Sequence, residues 1–169
     1  SFNYPINRLQ TSKALLSFLQ TKIIESGTYE DAISKENRFI FHSVLTPALN
    51  IGLITPKEII DTTLDFSKDN KIPLNSLEGF IRQIIGWREF IRGIYQSKGT
   101  YQRTRNFWGF NKKIPSNFYS ATTGIEPVDI TIKNVVKYAY GHHIERLMIL
   151  GSIMCLLNYN PNSVYKWFM

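Results

Sequence analysis

Apolar residues in this chain recur every three or four positions over most of its length, and no convincing alternating run of the kind a half-buried strand requires appears. That period makes helices the dominant element, overriding the strand preference of the many isoleucines. Thr11-Ser12 opens a first amphipathic segment with Leu15, Leu16, Leu19, Ile23 and Ile24 on one side. Gly27 then stands where a helix end favours a residue free to take positive φ. Thr55-Pro56-Lys57-Glu58 has the form of a capping box with proline at the first helical position, followed by Ile59, Ile60, Leu64 and Phe66. Asn75-Ser76-Leu77-Glu78 reads as a second box opening the longest helix, whose Leu77, Phe80, Ile81, Ile84, Ile85, Ile91 and Ile94 leave only a narrow polar face. Residues 98–127, with Gly99, Gly109, Pro115, Gly124 and Pro127, lose the period and read as a long ordered loop, a feature often functional. Helical patterning returns at Asp129 and runs through Ile132, Val135, Val136, Ala139, Leu147 and Met148, and Asn160-Pro161 starts another helix. The expectation is an all-α fold, a multi-helix orthogonal bundle of five to seven helices around one core, with 1–169 as a single helical domain.

Composition excludes several classes. At 169 residues, 43% hydrophobic and 20% charged, the chain can bury a sizeable core without staples. The single Cys155 rules out a disulfide framework and a multi-cysteine metal site within this chain, and reads as a small buried apolar residue. No apolar run approaches ~20 residues, so no membrane span is expected. The start Ser-Phe-Asn-Tyr-Pro has neither a basic nor an apolar leader region, which points to a cytoplasmic protein. The last helical pattern stops at Lys-Trp-Phe-Met, which suggests a piece of a longer protein.

Charge is concentrated. The net charge is +7, and between 82 and 113 Arg82, Arg88, Arg92, Lys98, Arg103, Arg105, Lys112 and Lys113 face one acid, Glu89. The other 12 basic and 12 acidic residues balance. Trp87, Tyr95, Tyr101, Phe107 and Trp108 interleave with the cations. Cations alternating with rings suit a polyanion whose bases can stack, so a nucleic acid or a nucleotide cofactor is the first expectation; a lysine-rich surface without a partner is the plainer one.

Three clusters carry possible chemistry. Arg82, Gln83, Arg88, Glu89 and Arg92 sit at spacings of three to four within what reads as a buried helix, where charge is costly unless paired or bound to a ligand. Gln83 suits a heterocycle edge and Arg88 a phosphate or carbonyl; for Glu89 and Arg92 a solvated ion pair is the better reading. In His142-His143-Ile144-Glu145-Arg146, adjacent helical residues point about 100° apart, which disfavours a shared zinc. One histidine could donate a proton with Arg146 beside it, or both could cap or pack. In His42-Ser43-Val44-Leu45-Thr46-Pro47, the two hydroxyls could cap a helix start, or that start could bind phosphate.

Together these strings resemble a known family. Leu77-Glu78-Gly79-Phe80-Ile81-Arg82-Gln83-Ile84-Ile85-Gly86-Trp87-Arg88-Glu89-Phe90-Ile91-Arg92-Gly93-Ile94-Tyr95 resembles the deoxyribodipyrimidine photolyase-related family, the bacterial iron–sulfur cryptochromes and photolyases of the (6-4) type. Phe41-His42-Ser43-Val44-Leu45-Thr46-Pro47-Ala48-Leu49-Asn50-Ile51-Gly52-Leu53 is similar to its flavin phosphate-binding turn, and Tyr140-Gly141-His142-His143-Ile144-Glu145-Arg146-Leu147-Met148 to its paired-histidine helix. The resemblance implies part of a helical FAD-binding domain and, for a full-length parent, a lyase that repairs (6-4) photoproducts in DNA with light. It implies that Ser43 and Thr46 hold the FAD diphosphate and that Gln83, Arg88 and Arg146 line the flavin cavity. His142 and His143 would face the lesion, with His143 the proton donor; Trp167 and Tyr119 would carry electrons. Arg103, Arg105, Lys112 and Lys113 are the expected DNA contacts.

The departures matter as much. The family's [4Fe–4S] cluster uses four cysteines, one expected at or near Pro127, where there is none; Cys155 does not match, and no cluster or other metal is expected in this chain. The family's N-terminal antenna domain and later helices have no counterpart here, so FAD binding by this chain alone is in doubt and the isolated chain is expected to be inactive. A blue-light sensor of the same fold, or a flavin-free helical nucleic-acid-binding module, are the alternatives.

Overall fold

A computed structural model describes residues 4–34 and 36–169. Residues 1–3, part of the start read for a leader, lie outside them. The chain is 65% helical with no strands among the described residues, as the period demanded. A lone bridge pairs Lys112 with Tyr159. No described helix is long and apolar enough to cross a membrane. Instead of one core, two apolar clusters form, one in each of two compact units, Ser1–Ser97 and Lys98–Met169.

In the first unit, α1 (Arg8–Thr21) starts three residues before Thr11, because Asn7 caps it by accepting from Gln10 N at 2.9 Å. Thr11 is instead buried, its hydroxyl donating to Asn7 O. The short α2 (Ile23–Ser26) and α3 (Thr46–Asn50) follow, and then α4 (Pro56–Asp69). The α4 capping box forms as expected: Thr55 Oγ1 accepts from Glu58 N, and Glu58 Oε2 accepts from Thr55 N at 2.7 Å. Leu15, Phe18, Leu19, Ile23, Leu45, Ala48, Ile54, Ile59 and Ile84 make the core, with Phe80 against Phe18 at 4.8 Å.

Helix α5 (Leu74–Thr104) differs from expectation at its start and along its length. Its first turn bonds back to Pro73 O, so the box at Asn75 does not form. Ser76 is fully buried, donating to Ile24 O at 2.8 Å and accepting from Gly27 N at 3.0 Å. Gly27 has an ordinary φ of −75°, so conformational freedom is not why it is glycine. A Cβ there would lie 2.5 Å from Ser76 N and 2.7 Å from Asn75 C. Nor is α5 a buried helix: Ile84 and Ser76 are its buried residues, while Ile85, Trp87, Phe90, Ile91 and Tyr95 are exposed. It also extends past 98, with Gly99 (φ 26°, ψ −112°) interrupting the helical geometry.

In the second unit the stretch expected as loop contains the end of α5 and α6 (Asn117–Ser120). Helix α7 (Glu126–Tyr138) begins with proline in its first turn, and Asp129 ties that turn down by accepting from Thr123 Oγ1, Thr123 N and Gly124 N. Those bonds, led by the Thr123 hydroxyl, hold the Asp129 carboxyl below its ordinary range. A π-helix (Glu145–Gly151), α8 (Ser152–Leu156) and α9 (Pro161–Phe168) complete the chain, α9 being capped by Asn160. Phe118, Ala121, Val128, Ile132, Leu150 and Met154 form this core. Cys155 is exposed, not buried as expected.

Two outcomes follow. Gly27→Ala should destabilise by about 1–3 kcal/mol, because the new methyl meets backbone that cannot rotate away; an unchanged urea midpoint would refute the close approach. Glu58 is held down to about 2, first by the Thr55 N–H, then by the Thr55 hydroxyl and Arg8. A depressed carboxylate stabilises fully above its unfolded pKa of about 4.3, and that contribution disappears as pH falls through the folded value. Thr55→Val should therefore lose less stability than the parent on acidification from about pH 5 to pH 2. Parallel losses in urea titrations of the two proteins would contradict this.

Candidate functional site

In the first unit, the residues flanking α3 present a bend under strain. Val44 has φ 54°, a left-handed conformation that a β-branched residue adopts only when its surroundings enforce it, at about 1–3 kcal/mol. Ser43, half-buried, and Thr46, exposed, lie on either side, and no side chain caps α3. Of the two readings of these hydroxyls, capping is therefore excluded. The strain at Val44 left no trace in composition or period.

The polar residues of α5 divide. Arg82 pairs with Glu78 and Arg92 with Glu89, both at 2.6 Å and solvent-exposed, as the ion-pair reading had it for Glu89 and Arg92. Arg92 draws the Glu89 carboxyl below its usual range. Gln83 is exposed and donates from Nε2 to Glu30 Oε1 at 2.6 Å. Arg88 alone is half-buried, with Nη1 donating to Ile84 O at 2.9 Å, which leaves further N–H groups of the guanidinium for a second acceptor.

In the second unit the backbone reverses between α7 and the π-helix. Ala139 closes α7 in the left-handed conformation. Gly141 follows where a Cβ would lie 3.0 Å from Val135 Cγ2 and 3.1 Å from Arg146 Cγ. His142 comes next, 3% exposed. Its Nδ1 accepts from Ile144 N at 3.0 Å, while Glu145 Oε2 accepts from His142 N at 3.0 Å. This is a capping box with imidazole in place of a hydroxyl. It requires Nδ1 to be unprotonated, so the ring proton of neutral His142 is on Nε2. The sequence carried the sign for it, since His142 precedes Glu145 by the three residues a box needs, and capping was one of the two readings of the histidine pair.

His143 follows on the first turn, half-buried, its ring stacked on His142 at 4.5 Å and 24°. The two rings thus lie side by side and do not diverge by a helical step, because His142 is a cap and not part of the helix. Arg146 is exposed, its stem lying over Gly141. The π-helix that continues from Glu145 widens the turn, and such segments are frequent at functional sites. It too had no sign in the sequence.

Trp167 is half-buried against the second core, and its indole N–H donates to Phe118 O at 3.2 Å. That carbonyl belongs to the residue bonded to Tyr119, whose own ring is exposed. The two expected electron carriers are therefore joined through one hydrogen bond and one residue's backbone. Arg103, Arg105, Lys112 and Lys113 are all exposed. The Arg103 guanidinium lies 3.7 Å over the Tyr165 ring, and Arg105 lies 4.8 Å over Tyr101 and contacts its hydroxyl.

The cap makes a prediction about His142. His142→Ala should cost roughly 0.5–2 kcal/mol, and His142→Asn, whose side chain can still accept from the backbone, should restore most of it. Equal loss in both, read from urea midpoints, would show that capping is not what the ring contributes.

No family model matches the chain. It is 31% identical over all 169 residues to a (6-4) photolyase of Agrobacterium fabrum, and spans 33% of that protein's length. It is also 41% identical over 114 residues to an uncharacterized protein of Acanthamoeba polyphaga mimivirus, a match covering 65% of this chain and 84% of the viral one. The chain therefore belongs to one family with the mimiviral protein, and it is related to the (6-4) photolyase over about a third of that protein's length.

Proposed function

We propose that this chain is part of a flavoprotein that repairs UV-damaged DNA with light, acting on (6-4) pyrimidine photoproducts. The observation that carries the reading is similarity to a (6-4) photolyase through all 169 residues, a span that includes all three motifs. The donor set fits a phosphate-bearing flavin. Ser43 and Thr46 offer hydroxyls that α3 does not use, Val44 is held in a strained bend between them, and Arg88 retains unused donors. These residues would hold FAD. Gln83 is engaged by Glu30 and would have to exchange that partner to join them. FAD, when bound, supplies the electron on illumination.

The chain's own residues supply the rest. His142, fixed as a cap with Nδ1 accepting, orients the ring stacked on it. His143, stacked on that ring, is the proton donor to the lesion's hydroxyl, an imidazole being able to act as a general acid. Trp167 and Tyr119 would carry electrons to the flavin for its photoreduction. The cations between 98 and 113 hold the DNA backbone, and a damaged pair costs less to extrude from the stack than an intact one.

The experiment is light-dependent repair of a synthetic (6-4) lesion by the flavin-loaded protein that carries this chain. General acid help contributes ~10²–10⁴ in rate. His143→Ala should lose repair on that order while flavin colour, photoreduction and DNA binding persist, and His142→Asn should be milder. Full repair by a stable, flavin-loaded His143→Ala protein would defeat the acid assignment.

A further inference from the structure

Between 98 and 113 lie Lys98, Arg103, Arg105, Lys112 and Lys113 and not one acid. Within this stretch residues 106–110 form a small loop that its own side chains hold shut. Asn106 Nδ2 donates to Phe110 O at 2.8 Å and Asn106 Oδ1 accepts from Phe110 N at 3.0 Å, so one amide satisfies both backbone groups of the residue four ahead. Gly109 completes the turn at φ 68°, a conformation that favours glycine. The loop holds two large rings in water: Phe107 is 68% exposed and Trp108 69%. They meet edge to face at 4.8 Å and 87°, and the half-buried Phe110 lies nearly parallel to Trp108 at 6.4 Å.

We propose that Phe107 and Trp108 form a base-stacking platform for unpaired nucleobases, with Arg105, Lys112 and Lys113 holding the neighbouring phosphates. The proposal rests on the reading of the chain as a DNA-binding protein and adds to it which part of the DNA is gripped and by what. A clasped loop presents rings whose ordering has already been achieved in the free protein, and each base stacked on such a ring strengthens binding whatever its sequence. Arg105 lies 5.7 Å over the Phe107 ring, beside its contact with Tyr101. A guanidinium laid on a ring keeps its in-plane donors pointing outward, the geometry that meets phosphate oxygens. An anionic membrane would also attract cations and rings, but a surface-lying anchor needs a continuous apolar face along an amphipathic helix. This loop offers two rings set between exposed Arg105 and Asn111. An unpaired stretch is what a duplex offers where a damaged base pair has left the stack.

The test measures binding of the 169-residue protein to a dye-labelled oligothymidylate and to a fully paired duplex of the same length, by anisotropy over a range of salt. Replacing both rings (Phe107→Ala with Trp108→Ala) should weaken oligothymidylate binding about fivefold to 150-fold per stacked base. The slope of log affinity against log salt should be unchanged, since no charge is removed, and duplex binding should barely move. Trp108→Phe should retain most of the affinity. Lys112→Ala with Lys113→Ala should flatten the slope for both DNAs by about one per phosphate contact. Unweakened oligothymidylate binding by the double ring variant would overturn the platform and leave the DNA reading standing. No salt-dependent binding of the parent to either DNA would overturn both. A ring variant that binds DNA normally but loses binding to phosphatidylserine vesicles would overturn the platform in favour of a membrane contact. Circular dichroism melts matching the parent verify that each variant is folded.

Discussion

A chain cut into short helices has many helix ends, and every end leaves backbone N–H and C=O groups that helical bonding cannot reach. How these ends are satisfied organises both units. Asn7, Thr55 and Asn160 accept from first-turn amides. Ser76 serves two chain segments at once, donating to Ile24 O and accepting from Gly27 N, and so ties the start of α5 to the end of α2. Asp129 gathers three donors from Thr123 and Gly124. His142 belongs to the same series, and with it the requirement reaches the candidate site.

The helical class was legible because a 3.6 period survives every tertiary arrangement. Two caps drawn from local residues were legible as well, Thr55 with Glu58 and Asn160 before Pro161, whereas Asn7, equally local, was hidden by the competing start at Thr11-Ser12. What required distant chain was not legible. Ser76 lies in a sequence that looks like a box, yet its hydroxyl is drawn to residues some fifty positions away, and Asn75 caps nothing. Gly27 shows the same limit: the glycine serves an approach of 2.5 Å by Ser76, which no local pattern encodes. A glycine-rich, aperiodic stretch likewise hid the end of α5, whose helical bonding resumes after Gly99.

The candidate site was half legible. Paired histidines and a pair of hydroxyls before a proline mark positions, but not the division of labour among them. Geometry separates the histidines: one ring has its Nδ1 committed to a backbone amide, and the other rests on it. A cap with an unprotonated Nδ1 resists gaining a second proton, because protonation removes the acceptor on which the turn depends. The proposed assignment of the proton to His143 builds on this difference in position: His142 holds the turn and His143 stacks on it. In the first unit Val44 adds strain between the two hydroxyls, in the second the π-helix adds a widened turn after the histidines, and neither can be read from residue identity.

Why the rings near the basic stretch stay in water follows from their order along the chain. Burying Tyr101 or Phe107 would draw Arg103 and Arg105 toward the interior, and an unpaired buried cation costs far more than a buried ring returns. Acids could have neutralised the arginines, but none occurs from 98 to 113. The remaining arrangement lays guanidinium on ring at the surface, as Arg103 does on Tyr165 and Arg105 on Tyr101. Interleaving without acids therefore prevents this segment from contributing its rings to the second core, which is built from the residues after it, beginning near Ile114. The same order of residues that weakens the helical period there keeps both charge and ring faces available to a polyanion with stackable bases.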